Sequence, residues 1–170
     1  MWVFGYGSLM WDSWEQTRGC LSSKLATLRD YERSFNKKST RNWGTTAAPG
    51  PTLGIEPCNG AICVGMAFEF RDTARGDIES YLREREGASF TLTELSVSLP
   101  DGSTVSGLTA INDRNAKTYV GNLSLDQRVT MAKLAKGTSG SCVNYVRGVR
   151  DKLRALGITD PKVEEFAEKL

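Results

Sequence analysis

Apolar residues alternate with small or polar ones from position 61 to 70, with Ile62, Val64, Met66, Phe68 and Phe70 on one side and Cys63, Gly65, Ala67 and Glu69 on the other. A period of two is the mark of a β-strand, and this is the strongest such signal in the chain. Trp2 to Tyr6 is a short apolar run that reads as a buried strand and stops at Gly7-Ser8, and a second extended stretch lies within residues 25–36. Residues 37–60 are rich in Gly, Pro, Thr and Asn and read as a long loop, a place where function often sits. From 73 to 86 the pattern becomes helical, because Ile78, Tyr81 and Leu82 recur among charges. Leu95, Val97 and Leu99 restore the period of two, and Asp101-Gly102 is a hairpin signal before a strand around 105–111. Ser124 with Gln127 forms a capping box that opens a helix with Val129, Met131, Leu134 and Ala135 on its apolar face. Val143, Val146, Val149, Leu153 and Leu156 mark the next helix, ended by Gly157, and Asp160 caps a last one with Pro161 at its first position. Strands with one interposed helix, followed by helices, predict an α+β fold: a small mixed β-barrel-like sheet flanked by helices.

Composition narrows the chemistry. A length of 170 residues fits one domain over 1–170, and 39% hydrophobic with 25% charged residues is ordinary for a globular chain. Twenty-two Lys and Arg against 20 Asp and Glu leave a net charge of +2, too small to argue for nucleic acid as a partner. There is no histidine, which removes Ser-His-Asp and Cys-His nucleophiles and every His-containing metal site. Cys20, Cys58, Cys63 and Cys142 contain no C-x-x-C pair, so a zinc cage is not expected and they read as small core residues. The first residues lack the basic region and apolar stretch of a secretion signal, and no run approaches a membrane span. The expectation is a cytoplasmic protein with reduced thiols.

Three places could carry chemistry. Gly5-Tyr6-Gly7-Ser8-Leu9 sits where a strand ends, and its glycines allow a sharp turn whose N–H groups suit an anionic or carbonyl oxygen. Its spacing is neither G-x-G-x-x-G nor a P-loop, and a purely structural turn is the competing reading. Glu86 is the second: on a helix, positions 78, 82 and 86 lie nearly one above another, so Glu86 continues the apolar face while Glu84 points to water. A carboxylate placed there should have its pKa raised toward neutrality, where a general base works best, unless the helix stops earlier or an arginine pairs with it. Tyr145, after the Gly137-Thr138-Ser139-Gly140-Ser141 stretch, is the third, and it also reads as a core aromatic with its hydroxyl at the edge.

The block Val3-Phe4-Gly5-Tyr6-Gly7-Ser8-Leu9-Met10-Trp11, together with Tyr81-Leu82-Arg83-Glu84-Arg85-Glu86-Gly87 and the stretch from Gly137 to Tyr145, resembles the ChaC-like branch of the γ-glutamylcyclotransferase family. The resemblance covers essentially the whole chain. It implies the γ-glutamylcyclotransferase-like fold and cleavage of a γ-glutamyl amide, glutathione above all, to 5-oxoproline and the released amine, without metal or cofactor. It further implies that Tyr6, Gly7, Ser8, Leu9 and Tyr145 bind a small-molecule γ-glutamyl substrate and that Glu86 is the general acid/base.

The chain departs from the family pattern where the leaving group should be recognised. An Asp-His-Arg-Gly type stretch is replaced by Arg41-Asn42-Trp43-Gly44, and the following Pro-Gly-Arg by Pro49-Gly50-Pro51. Cys142 stands three residues before Tyr145 where the family carries a polar residue, and Phe90 stands for a tyrosine. These changes leave open other γ-glutamyl amines or dipeptides as substrates, or a regulator that binds a γ-glutamyl ligand without turnover.

Overall fold

A computed structural model describes residues 1–87 and 89–170. The backbone groups into two compact units, the first made of residues 1–32 and 56–113, the second of 33–55 and 114–170.

The first unit is built on a closed barrel with strand order β1-β3-β2-β4-β5, where β1 is Trp2–Gly5, β2 Ser22–Ser39, β3 Gly50–Glu69, β4 Phe90–Ser98 and β5 Thr104–Asn112. β1 runs antiparallel to β3, with Val3 opposite Phe68 and Phe4 opposite Ala67, and parallel to β5, with Val3 opposite Leu108. That parallel pairing makes the sheet mixed, as expected. The alternation read in 61–70 is present, and the register assigns its two sides. Val3, Phe68, Phe70 and Leu108 pack with Trp14 against Ile78 and Leu82 of helix α1, Arg75–Glu86, on the outside of the barrel. Cys63, Gly65 and Ala67 therefore face inward, where a Cβ on Gly65 would lie 2.5 Å from the Phe4 ring. The bulky residues take the outer face because the narrow interior is already filled by rings such as Phe4. Beyond the reach of the helix the same outer row becomes exposed, and Ile62 is 53% accessible.

The expected loop over 37–60 is much shorter. β2 continues to Ser39 and β3 begins at Gly50, so only residues 40–49 connect them. Turn-rich composition loses here to pairing with neighbours: Lys38 N–H donates to Thr118 O at 2.7 Å and Thr52 Oγ1 to Lys37 O at 3.1 Å. The connection is itself compact. Gly44 sits where a Cβ would be 2.3 Å from Gly50 N and 2.6 Å from Ser39 O, and Thr138 N–H and Ser139 N–H bond the carbonyls of Arg41 and Asn42 at 2.9 Å each.

The second unit carries helices α2 Leu125–Leu134, α3 Cys142–Ala155 and α4 Pro161–Glu168, with a minimal hairpin of β6 Lys136–Gly137 and β7 Gly140–Ser141 between α2 and α3. The capping box of Ser124 and Gln127 is present, and Asp160 caps α4 through Lys162 N–H and Val163 N–H, both at 3.1 Å. Leu134 is a correction: it is 73% exposed, and the buried face of α2 is Val129 and Ala132. Two residues on from Ala132 is a rotation of about 200°, which turns Leu134 to solvent. Asp160 also accepts from Arg33 Nη1 at 2.8 Å, a buried ion pair. Among the described residues no disulfide is formed, and no helix is long and apolar enough to cross a membrane.

Candidate active site

The turn after β1 is shaped by what it packs on. Gly5 ends the strand, and a Cβ there would lie 2.9 Å from Leu9 Cβ and 3.3 Å from Phe68 Cε2, so only glycine lets the chain fold back over the barrel end. Ser8–Met10 then forms one 3-10 turn, closed by Met10 N–H to Gly7 O at 2.9 Å. The N–H groups of Gly7, Ser8 and Leu9 open this turn and so have no partner within it. Tyr6 is buried and donates its hydroxyl to Ala110 O at 2.8 Å, while Leu9 is buried in the core under α1. Tyr6 and Leu9 are thus anchors, and Gly7 and Ser8 are the accessible part.

Glu86 is the last residue of α1, one helical turn beyond Leu82, and Gly87 stops the helix with φ +80°. The expected face is observed: Ile78 and Leu82 are buried, Glu84 is exposed, and the Glu86 side chain is 21% accessible. The alternative of a helix ending earlier does not occur. The anticipated arginine neighbour does, in the form of Arg85, whose Nε lies 3.6 Å from Glu86 Oε1.

Sequence reasoning allowed for an arginine beside Glu86 but missed that Arg85 also reaches Ser8 and Asp12. Its Nη1 donates to Tyr81 Oη and its Nη2 to Ser8 Oγ, both at 2.8 Å, and Nη2 also pairs with Asp12 Oδ2. Burial works against the guanidinium's charge, but the bonds to Tyr81 and Asp12 outweigh it and hold its pKa above the usual arginine value. Tyr81 is itself fixed by stacking on Trp14, with centroids 5.3 Å apart and planes 10° from parallel, and Arg18 lies over its ring. The signal available in the sequence was the i,i+4 spacing of Tyr81 and Arg85, hidden in a run of four alternating charges. The structure therefore joins Ser8 and Glu86 through one side chain.

Tyr145 belongs to the second unit. It tilts against Trp43 with centroids 4.9 Å apart, meets Phe35 edge-on, and its hydroxyl accepts from Leu53 N–H at 3.1 Å. Cys142, one helical turn earlier, is fully buried with Sγ donating to Pro51 O at 3.3 Å, and burial pushes its thiol up to about 12. In this chain that position is core. Among the described residues no cluster of three or more Cys, Asp or Glu side chains could hold a metal ion.

Comparison with known proteins gives one consistent answer. The family model for ChaC-like protein matches residues 1–170. γ-Glutamylcyclotransferase 2-3 of Arabidopsis thaliana is 28% identical over 179 residues, spanning 100% of this chain and 88% of its own length. The glutathione-specific γ-glutamylcyclotransferase of Escherichia coli K12 is 28% identical over 169 residues, 98% of this chain and 71% of its own. Among solved structures, a yeast γ-glutamyl cyclotransferase specific to glutathione superposes with a TM-score of 0.84 at 20% identity, covering 99% of this chain and 94% of that one, which shows the shared fold. With its mixed barrel, its strand-end turn and a family match from first residue to last, this chain belongs to the ChaC-like family.

Proposed function

We propose that the protein is a γ-glutamylcyclotransferase that converts glutathione to 5-oxoproline and cysteinylglycine, acting as one functional domain in the cytoplasm. The observation that carries this reading is the tie between Ser8 and Glu86 through Arg85, which brings the strand-end turn to a largely buried carboxylate. The whole-length family match and the relatives' names support the substrate class.

The reaction asks little of the protein beyond folding the substrate and moving protons. The γ-glutamyl α-amine attacks its own γ-carbonyl, the C–N bond to cysteine breaks, and the five-membered lactam and the free amine leave. Effective molarity of an intramolecular attack supplies much of the rate once the substrate is held in the reactive conformer. Glu86 takes a proton from the α-ammonium and returns one to the departing amine. N–H groups of Gly7, Ser8 and Leu9 hold the glutamyl end, its carboxylate or its developing oxyanion, with Tyr6 and Leu9 fixing the turn. Tyr145 is assigned to substrate binding on the family resemblance.

The test is incubation with glutathione, and separately with a γ-glutamyl dipeptide, with 5-oxoproline read by mass spectrometry. Glu86→Gln should lower kcat by about a hundred-fold or more, the usual worth of a general acid/base. Product from the dipeptide alone would keep the reaction and move the specificity to the altered residues 41–51. No product from either, with ligand-induced stabilisation of the folded protein, would favour a γ-glutamyl-binding regulator.

A further inference from the structure

We infer that Arg85 is a positioning residue for this site: it clamps the Ser8 turn to the end of α1 and so holds the N–H groups of that turn in register with Glu86. The inference rests on the function proposed above and concerns a residue that neither motif assigned.

The geometry leaves little room for another role. A guanidinium has five N–H donors in a rigid plane. Arg85 directs them at Tyr81 Oη, Ser8 Oγ and Asp12, with Nε beside Glu86 Oε1 at 3.6 Å. A side chain committed in this way has no edge left with two free donors for a bidentate grip on a substrate carboxylate. Its negative partners, Asp12 and Glu86, balance its charge locally. What it does supply is a link between segments far apart in sequence: Ser8 opens the 3-10 turn and Asp12 follows it, and Arg85 and Tyr81 sit one helical turn apart at the end of α1.

The exposed half of the turn is held by short-range backbone bonds, Met10 N–H to Gly7 O at 2.9 Å and Trp11 N–H to Ser8 O at 3.2 Å, and the Arg85 link ties it to a second element. Leu9 and Met10 are buried, but Ser8 is exposed, and its hydroxyl accepts a hydrogen bond from Arg85 Nη2 at 2.8 Å. An exposed short turn held by local bonds alone samples several conformations, and each wrong one misdirects the N–H groups that the reaction uses. Tyr81 completes the device. Stacked on buried Trp14, it fixes the guanidinium from behind, so the clamp is referenced to the core and not to solvent. Asp12 pairs with the same Nη2 that reaches Ser8, so the guanidinium is held from both ends of the turn.

Steady-state kinetics of wild type, Arg85→Ala, Arg85→Lys, Ser8→Ala and the Ser8→Ala/Arg85→Ala double variant test this. Arg85→Ala should raise KM about ten-fold or more while lowering kcat less, because the base remains and the ordered turn is lost. Arg85→Lys should restore part of the loss, and the double variant should be no worse than Arg85→Ala, since both remove one interaction. Melting curves accompany each variant, and Ser8→Ala, at an exposed position, provides the coupling measurement in a folded background. Unchanged kcat and KM in Arg85→Ala would overturn the inference, as would fully additive effects of the two substitutions. Absence of wild-type turnover would instead reject the function on which it rests, and the wild-type reaction reports that by itself.

Discussion

Tyr145 shows how one side chain can be read two ways and how the ambiguity is resolved by experiment. Its hydroxyl accepts from Leu53 N–H, and its ring packs on Trp43 and Phe35. Tyr145→Phe leaves that N–H without its partner and should cost about 1–3 kcal/mol of stability. A lowered melting temperature with kcat/KM unchanged would make Tyr145 structural; a fall in kcat/KM as well would support the binding role. Cys142 illustrates the opposite situation, in which a position suspected of recognising a leaving group turns out to be packed beneath Gly50 and Pro51, where a Cβ on Gly50 would be 2.9 Å from its sulfur. At this scale the sequence singled out Ser8 and Glu86, which Arg85 ties together, but not Arg85 itself, because the value of a charge in a charged run depends on what lies across from it.

Helix α1 delivers the candidate base because its apolar face, Ile78 and Leu82, is buried on the barrel and its last residue continues that face. Burying two such side chains contributes about 1.5–3 kcal/mol each, enough to fix the helix's rotation. Rotation is what places Glu86 inward and Glu84 outward. In the second unit α4 depends on one carboxylate for two tasks, since Asp160 caps its N-terminus and neutralises buried Arg33. Asp160→Ala should therefore destabilise by more than the about 1 kcal/mol of a cap alone, because it also removes the Asp160 carboxylate from the buried Arg33 guanidinium. Urea unfolding would show it, and adding Arg33→Met should recover much of the loss; a cost near that of the cap alone would mean that the pair contributes nothing.

At the scale of the whole molecule, the buried Cys142 thiol contributes to the dependence of stability on pH. In the unfolded chain Cys142 titrates near 9.0, and in the folded protein burial moves it to about 12. Below pH 9 both states hold the proton and the group is neutral in its effect. As pH rises from 9 toward 12 the unfolded state releases a proton that the folded state retains, so stability falls by about 1.4 kcal/mol per pH unit from this group. Comparing wild type with Cys142→Ala by urea unfolding near pH 8 and near pH 11 isolates the effect from that of lysines and tyrosines. The gap between the two proteins should shift in favour of the variant at the higher pH; a gap independent of pH would show that the thiol is not insulated from solvent.

By itself the sequence determined the element types, the capping box, the Asp160-Pro161 helix start, the inward face of α1 and, through its motifs, the family. All of these are set by neighbours within a few residues: period, caps and short spacings. Tertiary structure decided the rest. Strand pairing drew most of residues 37–60 into β2 and β3 despite their turn-forming composition, because hydrogen bonds to a neighbouring strand outweigh local propensity. Barrel closure decided which side of β3 faces inward, since a narrow interior admits Gly65 and Ala67 beside Phe4 and excludes the larger row. And only the fold could set Arg85 against Ser8 and Asp12, a contact between positions more than seventy residues apart that no local pattern encodes.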